Sequence, residues 1–256
     1  MELLKGKIAF ITGASAGIGK ATAVKFAEEG ADLIISARRI EKINEFADEL
    51  QKNFNVKVYA VKLDVRNKDE VKSVVASLPE EWKEIDILVN NAGLSRGVNK
   101  LHEEDYEGID EMIDTNVKGA LNIIREVVPL MVKREKGHII NLGSTAGHEA
   151  YSGGGVYCAT KHAINAITKS LRLDLLGKNI KVSSVDPGMV ETDFSRVRFY
   201  GDEERAKKVY QGITPLYADD IAETILYMAT RSANVNLAQV IMMPVNQGNA
   251  YFFHRE

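Results

Sequence analysis

Short apolar runs alternate along this chain with longer segments in which apolar residues recur with a helical period. A first strand is predicted over residues 7–11, and a glycine cluster over residues 13–19 follows it directly. Several later runs, such as residues 85–89, are almost wholly apolar, which is typical of parallel strands buried on both faces. Runs of strand length predict six more strands, over residues 32–37, 56–63, 85–89, 138–142, 180–185 and 239–243.

The segments between these runs carry the apolar spacing of amphipathic helices. The first of these segments follows the glycine cluster and ends at Gly30. The longest, over residues 105–135, ends before Gly137, and we allow for breaks within it. The remaining helical segments cover residues 41–53, 68–78, 105–135, 156–176, 203–211 and 219–230. Strands that alternate with helices predict right-handed crossovers and a mostly parallel sheet with helices on both faces. No linker or repeat divides the chain, so we expect one α/β domain over residues 1–256.

The composition of the 256 residues excludes several classes of protein. Hydrophobic residues make up 45% and charged residues 27% of the chain, as in an ordinary globular protein. The 33 basic and 36 acidic residues give a net charge of −3 without a basic stripe, so we expect no nucleic-acid partner. No apolar run approaches the roughly 18 residues of a membrane helix, and the first residues do not resemble a signal peptide. We therefore expect no membrane association.

The cysteine and histidine content indicates the compartment and the absence of a metal site. Cys158 is the single cysteine and cannot form a disulfide within the chain, which favours a reducing, cytoplasmic location. The five histidines, at positions 102, 138, 148, 162 and 254, lack the spacing of metal ligands, so we expect no metal.

The glycine cluster follows the first strand, where ligands bind in a sheet of this kind. Its spacing is Gly-x-x-x-Gly-x-Gly, over residues 13–19. Glycines let the backbone turn tightly and approach a pyrophosphate, and the next helix directs its free N–H groups at the phosphates. The cluster therefore predicts a dinucleotide site, and the alternative is a glycine-rich turn without a ligand.

The end of the second strand indicates which dinucleotide binds. Ala37 is followed by Arg38 and Arg39, and the nearest acid is Glu41. An NAD site usually has an acid here for the ribose 2′-hydroxyl, whereas a guanidinium matches a 2′-phosphate. We predict NADP(H), with Ser15 as an additional donor to the phosphate. The alternative is a solvated arginine pair at the start of a helix.

The helix predicted over 156–176 begins with Tyr157 and Lys161, which one turn places on the same face. A free tyrosine has a pKa near 10, and a neighbouring ammonium favours its ionised form. We therefore predict that Lys161, together with the positive nicotinamide of the cofactor, lowers the pKa of Tyr157. The alternative is a surface pair of a tyrosine and a lysine. Ser144 follows the fifth strand and can hold a carbonyl oxygen, although a serine there can also be a turn residue. Asn116 lies mid-helix, which indicates either a buried hydrogen-bonding role or a local kink.

Together, these motifs resemble the short-chain dehydrogenase/reductase family. The resemblance rests on residues 12–19, Asn90-Asn91-Ala92-Gly93, Asn116, Ser144, Tyr157 with Lys161, and Pro187-Gly188, and it covers essentially the whole chain. It implies a single Rossmann-type, doubly wound domain with a seven-stranded sheet, and commonly a homotetramer.

The resemblance also implies residue roles. Tyr157 is expected to exchange the proton, Lys161 to lower its pKa and hold the ribose, Ser144 to orient the substrate, and Asn116 to hold a water that links Lys161 to solvent. Asp64-Val65 are expected beside the adenine, residues 91–93 beside the ribose, and residues 187–192 beside the nicotinamide. The residues expected to hold NADP are Gly13, Ser15, Ala16, Gly17, Ile18, Gly19, Arg38, Arg39, Asp64, Val65, Asn91, Ala92, Gly93, Tyr157, Lys161, Pro187, Gly188, Val190 and Thr192.

A narrower resemblance concerns residues 187–199, which are similar to the NADP-dependent 3-hydroxy acid dehydrogenases acting on serine, allo-threonine and related acids. It implies hydride transfer between a small 3-hydroxy acid and NADP, under a substrate flap near residues 189–215. The substrate would contact Ser144, Tyr157 and Arg198, with Arg198 pairing its carboxylate and Arg196 and Arg96 as other candidate cations. Two alternatives stay open: a general ketone or dicarbonyl reductase, and an NADP(H)-binding sensor without turnover.

Overall fold

Seven parallel strands form the central sheet of the computed structural model, which describes residues 2–256. The strands within these residues are β1 (Ile8–Thr12), β2 (Asp32–Ala37), β3 (Val58–Lys62), β4 (Ile87–Asn90), β5 (Gly137–Leu142), β6 (Ile180–Pro187), β7 (Val190–Glu191), β8 (Leu216–Tyr217) and β9 (Gln239–Met242). The sheet has the order β3-β2-β1-β4-β5-β6-β9, and β7 pairs with β8 in a separate ribbon. The strand order reverses between β1 and β4, which opens a crevice at their carboxyl ends.

Helices cover both faces of this sheet. Those in the described part of the chain are α1 (Gly17–Glu28), α2 (Ile40–Asn53), α3 (Lys68–Ser77), α4 (Tyr106–Ile113), α5 (Ala120–Arg134), α6 (Gly155–Asp174), α7 (Phe194–Arg198), α8 (Glu203–Lys208) and α9 (Ala218–Ala229). The core on one face includes side chains of α1, α2 and α9, and the core on the other includes side chains of α3 and α5. None of the helices within residues 2–256 is long and apolar enough to cross a membrane.

The central strands are apolar on both sides because alternate residues enter opposite cores. On β1, Ala9 and Ile11 pack into the core beneath α1 and α2, while Phe10 packs into the core beneath α3 and α5. All three side chains are fully buried. Neighbouring side chains of a strand point to opposite faces, so a strand covered by helices on both sides requires an unbroken apolar run. The predicted fold class is confirmed.

Several predicted boundaries are wrong. The sixth strand was expected to end at residue 185, but β6 continues to Pro187, because Gly188 N donates to Met242 O at 2.7 Å and maintains the pairing with β9. The helical region 105–135, for which breaks were allowed, is interrupted by a π-helical segment over Asp114–Gly119. The segment predicted over 203–211 ends at Lys208. Short helix α7 and the β7–β8 ribbon lack enough residues to produce a periodic pattern.

His138, on β5, is a polar residue that is buried in the protein. Its Nε2 atom lies 2.8 Å from Ser183 Oγ, and its Nδ1 atom has no hydrogen-bond partner among the described residues. Burial lowers the pKa of His138 to about 3, and the positive charge of Lys181 acts in the same direction. The imidazole is therefore neutral in the folded protein at neutral pH.

We expect this histidine to make the protein less stable in mild acid. Its ordinary pKa is 6.5, so below that pH the unfolded chain binds a proton that the folded chain excludes, until the pH approaches 3. The contribution of neutral His138 to the free energy of unfolding is present above pH 6.5, and at pH 5.5 the free energy of unfolding is lower by about 1.4 kcal/mol. Urea unfolding at pH 7.5 and 5.5 measures the loss. His138→Gln, which cannot titrate, is the control, and an equal loss in that variant contradicts the assignment.

Candidate active site

A cleft of about 1020 Å³ lies at the carboxyl ends of the strands, where the strand order reverses. Residues predicted to hold the cofactor line it from five successive loops, including Gly13, Ser15, Ala16, Gly17, Ile18, Arg38, Arg39, Asp64, Val65, Asn91, Ala92, Gly93, Pro187, Gly188, Val190 and Thr192. Ser144, Tyr157, Lys161 and Arg198 line the same cleft. The fold thus brings almost all of the candidate residues together. Gly19 and Asn116 lie just behind the cleft wall.

The glycine cluster is locked against the loop that follows β4. Gly13 has a φ of +67°, and a Cβ there would lie 3.0 Å from Asn91 Nδ2, while a Cβ at Gly19 would collide with that same atom. Asn91 Nδ2 donates to Thr12 O at 2.8 Å, and Asn91 N donates to Thr12 Oγ1 at 3.0 Å. Only glycines permit this close approach, so Asn91 fixes the shape of the cluster.

Helix α1 begins inside the cluster with its first N–H groups available for a ligand. Its N-cap, Ala16, is extended, and no side chain in the described part of the chain caps it. The first turn contains no acidic residue. Unpaired N–H groups and the positive end of the helix dipole attract anions, and the site therefore suits the pyrophosphate of a dinucleotide.

Three arginines line the end of the cleft beside β2 and β3, of which the sequence analysis missed one. Arg38 and Arg39 follow β2, and Arg66 follows β3. Arg66 Nη2 lies 2.6 Å from Asp64 Oδ2, and this pairing lowers the pKa of Asp64. Arg38 and Arg66 each lie 3.9 Å from an oxygen of Glu111 on α4. The sequence feature that could have identified Arg66 as a cleft residue is its position just after Asp64-Val65, at the end of a strand. The cluster gives this end of the cleft an excess of positive charge.

The start of α6 presents Tyr157 and Lys161 to the cleft, one helical turn apart. Lys161 Nζ lies 5.8 Å from the centre of the Tyr157 ring and donates to Leu142 O at 2.8 Å. Both side chains are buried, as is Ser144, whose Oγ accepts from Ala146 N and donates to Pro187 O at 3.3 Å. The predicted grouping of a phenol, an amine and a hydroxyl is present.

The protein alone raises the pKa of Tyr157 rather than lowering it. Burial raises the pKa of Tyr157 above its ordinary value, Tyr151 adds to the rise, and the opposing effects of Ser144 and Arg198 are smaller. Burial also lowers the pKa of Lys161, to about 8. The sequence analysis counted the charge of Lys161 but not the cost of placing a phenolate away from water. The ammonium in this structure interacts with a carbonyl rather than with the phenolic oxygen.

Asn116 combines both interpretations of its mid-helix position, because it is buried in the π-helical segment that interrupts the helix. Its Oδ1 atom accepts from Leu94 N at 2.8 Å, and its Nδ2 atom donates to Leu94 O at 2.8 Å and to Thr160 Oγ1 at 3.0 Å. Asn116 thereby ties the loop after β4 to helix α6. π-Helical turns occur frequently at functional sites.

The structure distinguishes the three candidate cations for a substrate carboxylate. Arg96 Nε is paired with Glu111 Oε2 at 2.6 Å, and Arg196 pairs with Asp193 at 3.2 Å on the surface. Arg198 lines the cleft and has no carboxylate partner within residues 2–256. Its Nε atom donates to Gly97 O at 2.7 Å, and Gly97 N donates to Arg198 O at 2.9 Å. Of the three, only Arg198 is brought to the site.

The C-terminal segment also lines the cleft, which the sequence analysis did not anticipate. Tyr251, Phe253 and Arg255 contribute to the lining, and Arg255 donates to the carbonyls of Val209 and Gln211 just after α8. The backbone of Phe253 pairs with that of Gln247 in an isolated antiparallel bridge, while the side chain of Phe252 is exposed. A terminal segment has no pattern that reveals its tertiary position.

Comparisons with known proteins agree with this geometry. The family model for short chain dehydrogenases matches residues 7–202, and the chain belongs to that family. An NADP-dependent 3-hydroxy acid dehydrogenase of Schizosaccharomyces pombe is 44% identical over 257 residues, covering 100% of this chain and 99% of that protein. A protein of the same description from Salmonella typhi is 46% identical over 244 residues, covering 95% and 97%.

A solved structure extends the similarity to three dimensions. The closed form of serine dehydrogenase complexed with NADP⁺ superposes with a TM-score of 0.91 at 44% identity, covering 97% of this chain and 100% of that chain. The resemblance to the short-chain dehydrogenase family is thereby confirmed.

We expect Gly19→Ala to weaken dinucleotide binding without unfolding the protein. The added Cβ collides with Asn91 Nδ2 and Gly13 O, and overpacking of this kind costs about 1–3 kcal/mol. Calorimetric titration should show roughly 5- to 100-fold weaker binding. Gly248→Ala is the control, because that glycine has no positive φ, does not line the cleft, and its Cβ would meet only Phe252 O at 3.8 Å. Unchanged binding in Gly19→Ala would contradict the assignment of this loop.

Proposed function

We propose that the protein is an NADP-dependent oxidoreductase that transfers a hydride between a small 3-hydroxy acid and NADP. The observation that carries this proposal is the convergence of Ser144, Tyr157 and Lys161 on one cleft with Arg198, a cation that has no carboxylate partner among residues 2–256. The names of the similar proteins, which include 3-hydroxy acid and serine dehydrogenases, support the same reaction.

The described residues fit NADP better than NAD. The open start of α1 suits the pyrophosphate, and the arginines at the adenosine end suit a 2′-phosphate. Residue 37 is an alanine, so no carboxylate repels that phosphate directly after β2. We assign Arg38 and Arg39 to the phosphate, with Ser15 as a further donor. Asp64 and Val65 are assigned to the adenine, and residues 91–93 to the ribose.

The proposed chemistry is proton exchange at Tyr157 coupled to hydride transfer. When bound, NADP⁺ would supply the hydride acceptor and the positive charge of its nicotinamide ring. Tyr157 takes the proton of the substrate hydroxyl, and Ser144 holds the same oxygen. Lys161 contributes positive charge that favours the ionised phenol, and with the positive ring it opposes the effect of burial on the Tyr157 pKa. For serine, oxidation at C3 yields a 2-amino-3-oxo acid.

Arg198 is proposed to select acids from neutral alcohols. Its side chain lies against Tyr151 and Gly153 at the rim of the cleft, and its charge acts on Tyr157. With the substrate carboxylate on Arg198 and the reacting hydroxyl at Tyr157, one carbon would separate the carboxylate carbon from the carbinol carbon, as in a 3-hydroxy acid. The segment near 189–215, which carries α7 and α8, is proposed to be the substrate flap.

Two other functions are distinguished by one assay. A general ketone reductase would reduce neutral ketones at least as well as it oxidises acids, and a sensor would bind NADP(H) without turnover. A buried Ser144–Tyr157–Lys161 grouping is unnecessary for binding alone, which favours an enzyme. Absorbance of reduced nicotinamide during incubation with NADP⁺ and a panel of acids and alcohols separates the three. We also propose, by family resemblance, a cytoplasmic homotetramer.

We expect Arg38→Ala to weaken NADP⁺ binding by roughly 10- to 100-fold, the loss of a charge-assisted hydrogen bond worth about 1.5–3 kcal/mol. NAD⁺ lacks the 2′-phosphate, so its affinity should change less than twofold. Titration of wild type and variant with both cofactors measures the difference. Equal affinity of the wild type for NAD⁺ and NADP⁺ contradicts the cofactor assignment.

We expect Tyr157→Phe to lower kcat/KM by at least about 10²-fold, because the acid–base group is lost while the ring packing stays. Binding of NADP⁺ should be retained within a few-fold, and a calorimetric titration serves as the control. Substantial residual activity in this variant excludes the proposed mechanism.

We expect Arg198→Ala to raise KM for L-serine by roughly 10- to 100-fold, since its carboxylate loses a charged partner. Turnover of a neutral secondary alcohol should change little. Arg196→Ala, which removes an exposed arginine two residues away on the same helix, is the matched control and should leave both substrates unaffected. If the two variants behave alike, Arg198 does not bind the carboxylate.

A further inference from the structure

A second polar cluster lies directly behind the site, centred on the carboxylate of Asp186 in β6. Asp186 is fully buried, and its Oδ2 atom lies 2.5 Å from Gln239 Nε2 and 2.7 Å from His148 Nε2. Its Oδ1 atom has no hydrogen-bond partner among the described residues. A buried carboxylate is costly unless its charge is compensated, so this group requires an explanation. It does not line the cleft and cannot contact a substrate.

The free oxygen of this carboxylate faces the backbone that carries two site residues. A Cβ at Gly143 would collide with Asp186 Oδ1, so the carboxylate packs against the Gly143 backbone. Gly143 lies between Leu142, whose carbonyl accepts from Lys161 Nζ at 2.8 Å, and Ser144. Glycine at position 143 is therefore needed to let the carboxylate approach this turn. The carboxylate of Asp186 and the ammonium of Lys161 therefore contact consecutive residues of one turn, Gly143 and Leu142.

Few other charges act on this pair. Tyr157 is the other titratable group beside Lys161, on the same helix. His148, from the turn after β5, contacts Asp186, as does the neutral side chain of Gln239 from β9. Asn165, from the next turn of α6, contacts His148 and is also neutral. Burial lowers the pKa of Lys161, and Asp186 opposes that effect by raising it.

We propose that Asp186, held by His148 and Gln239, is a positioning residue that keeps the Lys161 ammonium charged and directed at the Leu142 carbonyl. The proposal deepens the proposed function, because it rests on the role of Lys161 there. His148 connects the buried carboxylate to the surface, since its side chain is 28% exposed while that of Asp186 is not exposed. A purely structural pair that joins β6 to β9 would stabilise the fold without acting on Lys161.

The first experiment measures Lys161 itself, in the cofactor-free protein and without substrate. Lysine labelled with ¹³C at Cε gives a resonance that reports its own protonation, and Lys161→Met assigns it. We expect a midpoint near 8 in the wild type and a midpoint about one unit lower in Asp186→Asn, the smaller end of the effect of an opposite charge nearby. An unchanged midpoint in folded Asp186→Asn overturns the proposal. Because no turnover is measured, this result is independent of the substrate assignment.

Variants of His148 provide a second test if Asp186→Asn does not fold. His148→Leu removes one donor to the carboxylate, so its negative charge is less well held and the Lys161 midpoint should fall. His148→Gln restores an N–H donor at a similar position, and the midpoint should return to the wild-type value. Equal Lys161 midpoints in the leucine and glutamine variants, whether unchanged or lowered, overturn the proposal.

The third measurement is the pH dependence of kcat/KM with any alcohol that the wild type oxidises. Loss of the Lys161 charge should limit the alkaline side, so Asp186→Asn should move that side about one unit towards lower pH. A purely structural pair predicts a uniform decrease at every pH, and that result contradicts the proposal. If the wild type oxidises no 3-hydroxy acid, the proposed function fails, while the lysine titration still decides the role of Asp186.

Discussion

The burial of the Lys161 ammonium is the constraint on which the rest of the site depends. A lysine without access to water loses its charge unless nearby groups replace the lost hydration. In this structure the carbonyl of Leu142, at the end of β5, is one replacement, and the carboxylate at the end of β6 is another. Both come from adjacent strands, so the charge of one side chain depends on the register of the sheet that supports it.

The same strand ends determine what surrounds the lysine. The strand order reverses between β1 and β4, which separates the loops that follow these two strands. A hydrogen bond from Asn91 joins its loop to the start of the glycine cluster across this gap. The π-helical turn at Asn116 then ties the loop after β4 to α6, which carries both Tyr157 and Lys161. Cofactor end and reacting end are thus parts of one hydrogen-bonded assembly.

The fold and most of the site could be predicted from the sequence because they rest on local patterns. Apolar runs revealed the strands, and the glycine spacing and the Tyr157–Lys161 spacing each lie within one turn of backbone. Arg198 was preferred among the arginines from the sequence, but the exclusion of Arg96 could not be predicted, because Arg96 is paired with Glu111, a residue that only the tertiary structure brings near. The effect of burial on the pKa of Tyr157 could not be predicted for a similar reason, since burial is a property of the packed chain. The contribution of the C-terminal segment also has no local signal.

The paired bonds between Gly97 and Arg198 have a kinetic consequence. Two main-chain groups of Gly97 are bound to α7, and Arg96 also donates to Val197 O. The loop that carries Gly97 is itself held through Leu94 by Asn116. In the proposed role of residues 189–215 as a substrate flap, opening of the flap requires these bonds to break. A turnover rate set by the breaking of these hydrogen bonds would be the same for every substrate that fits the cleft.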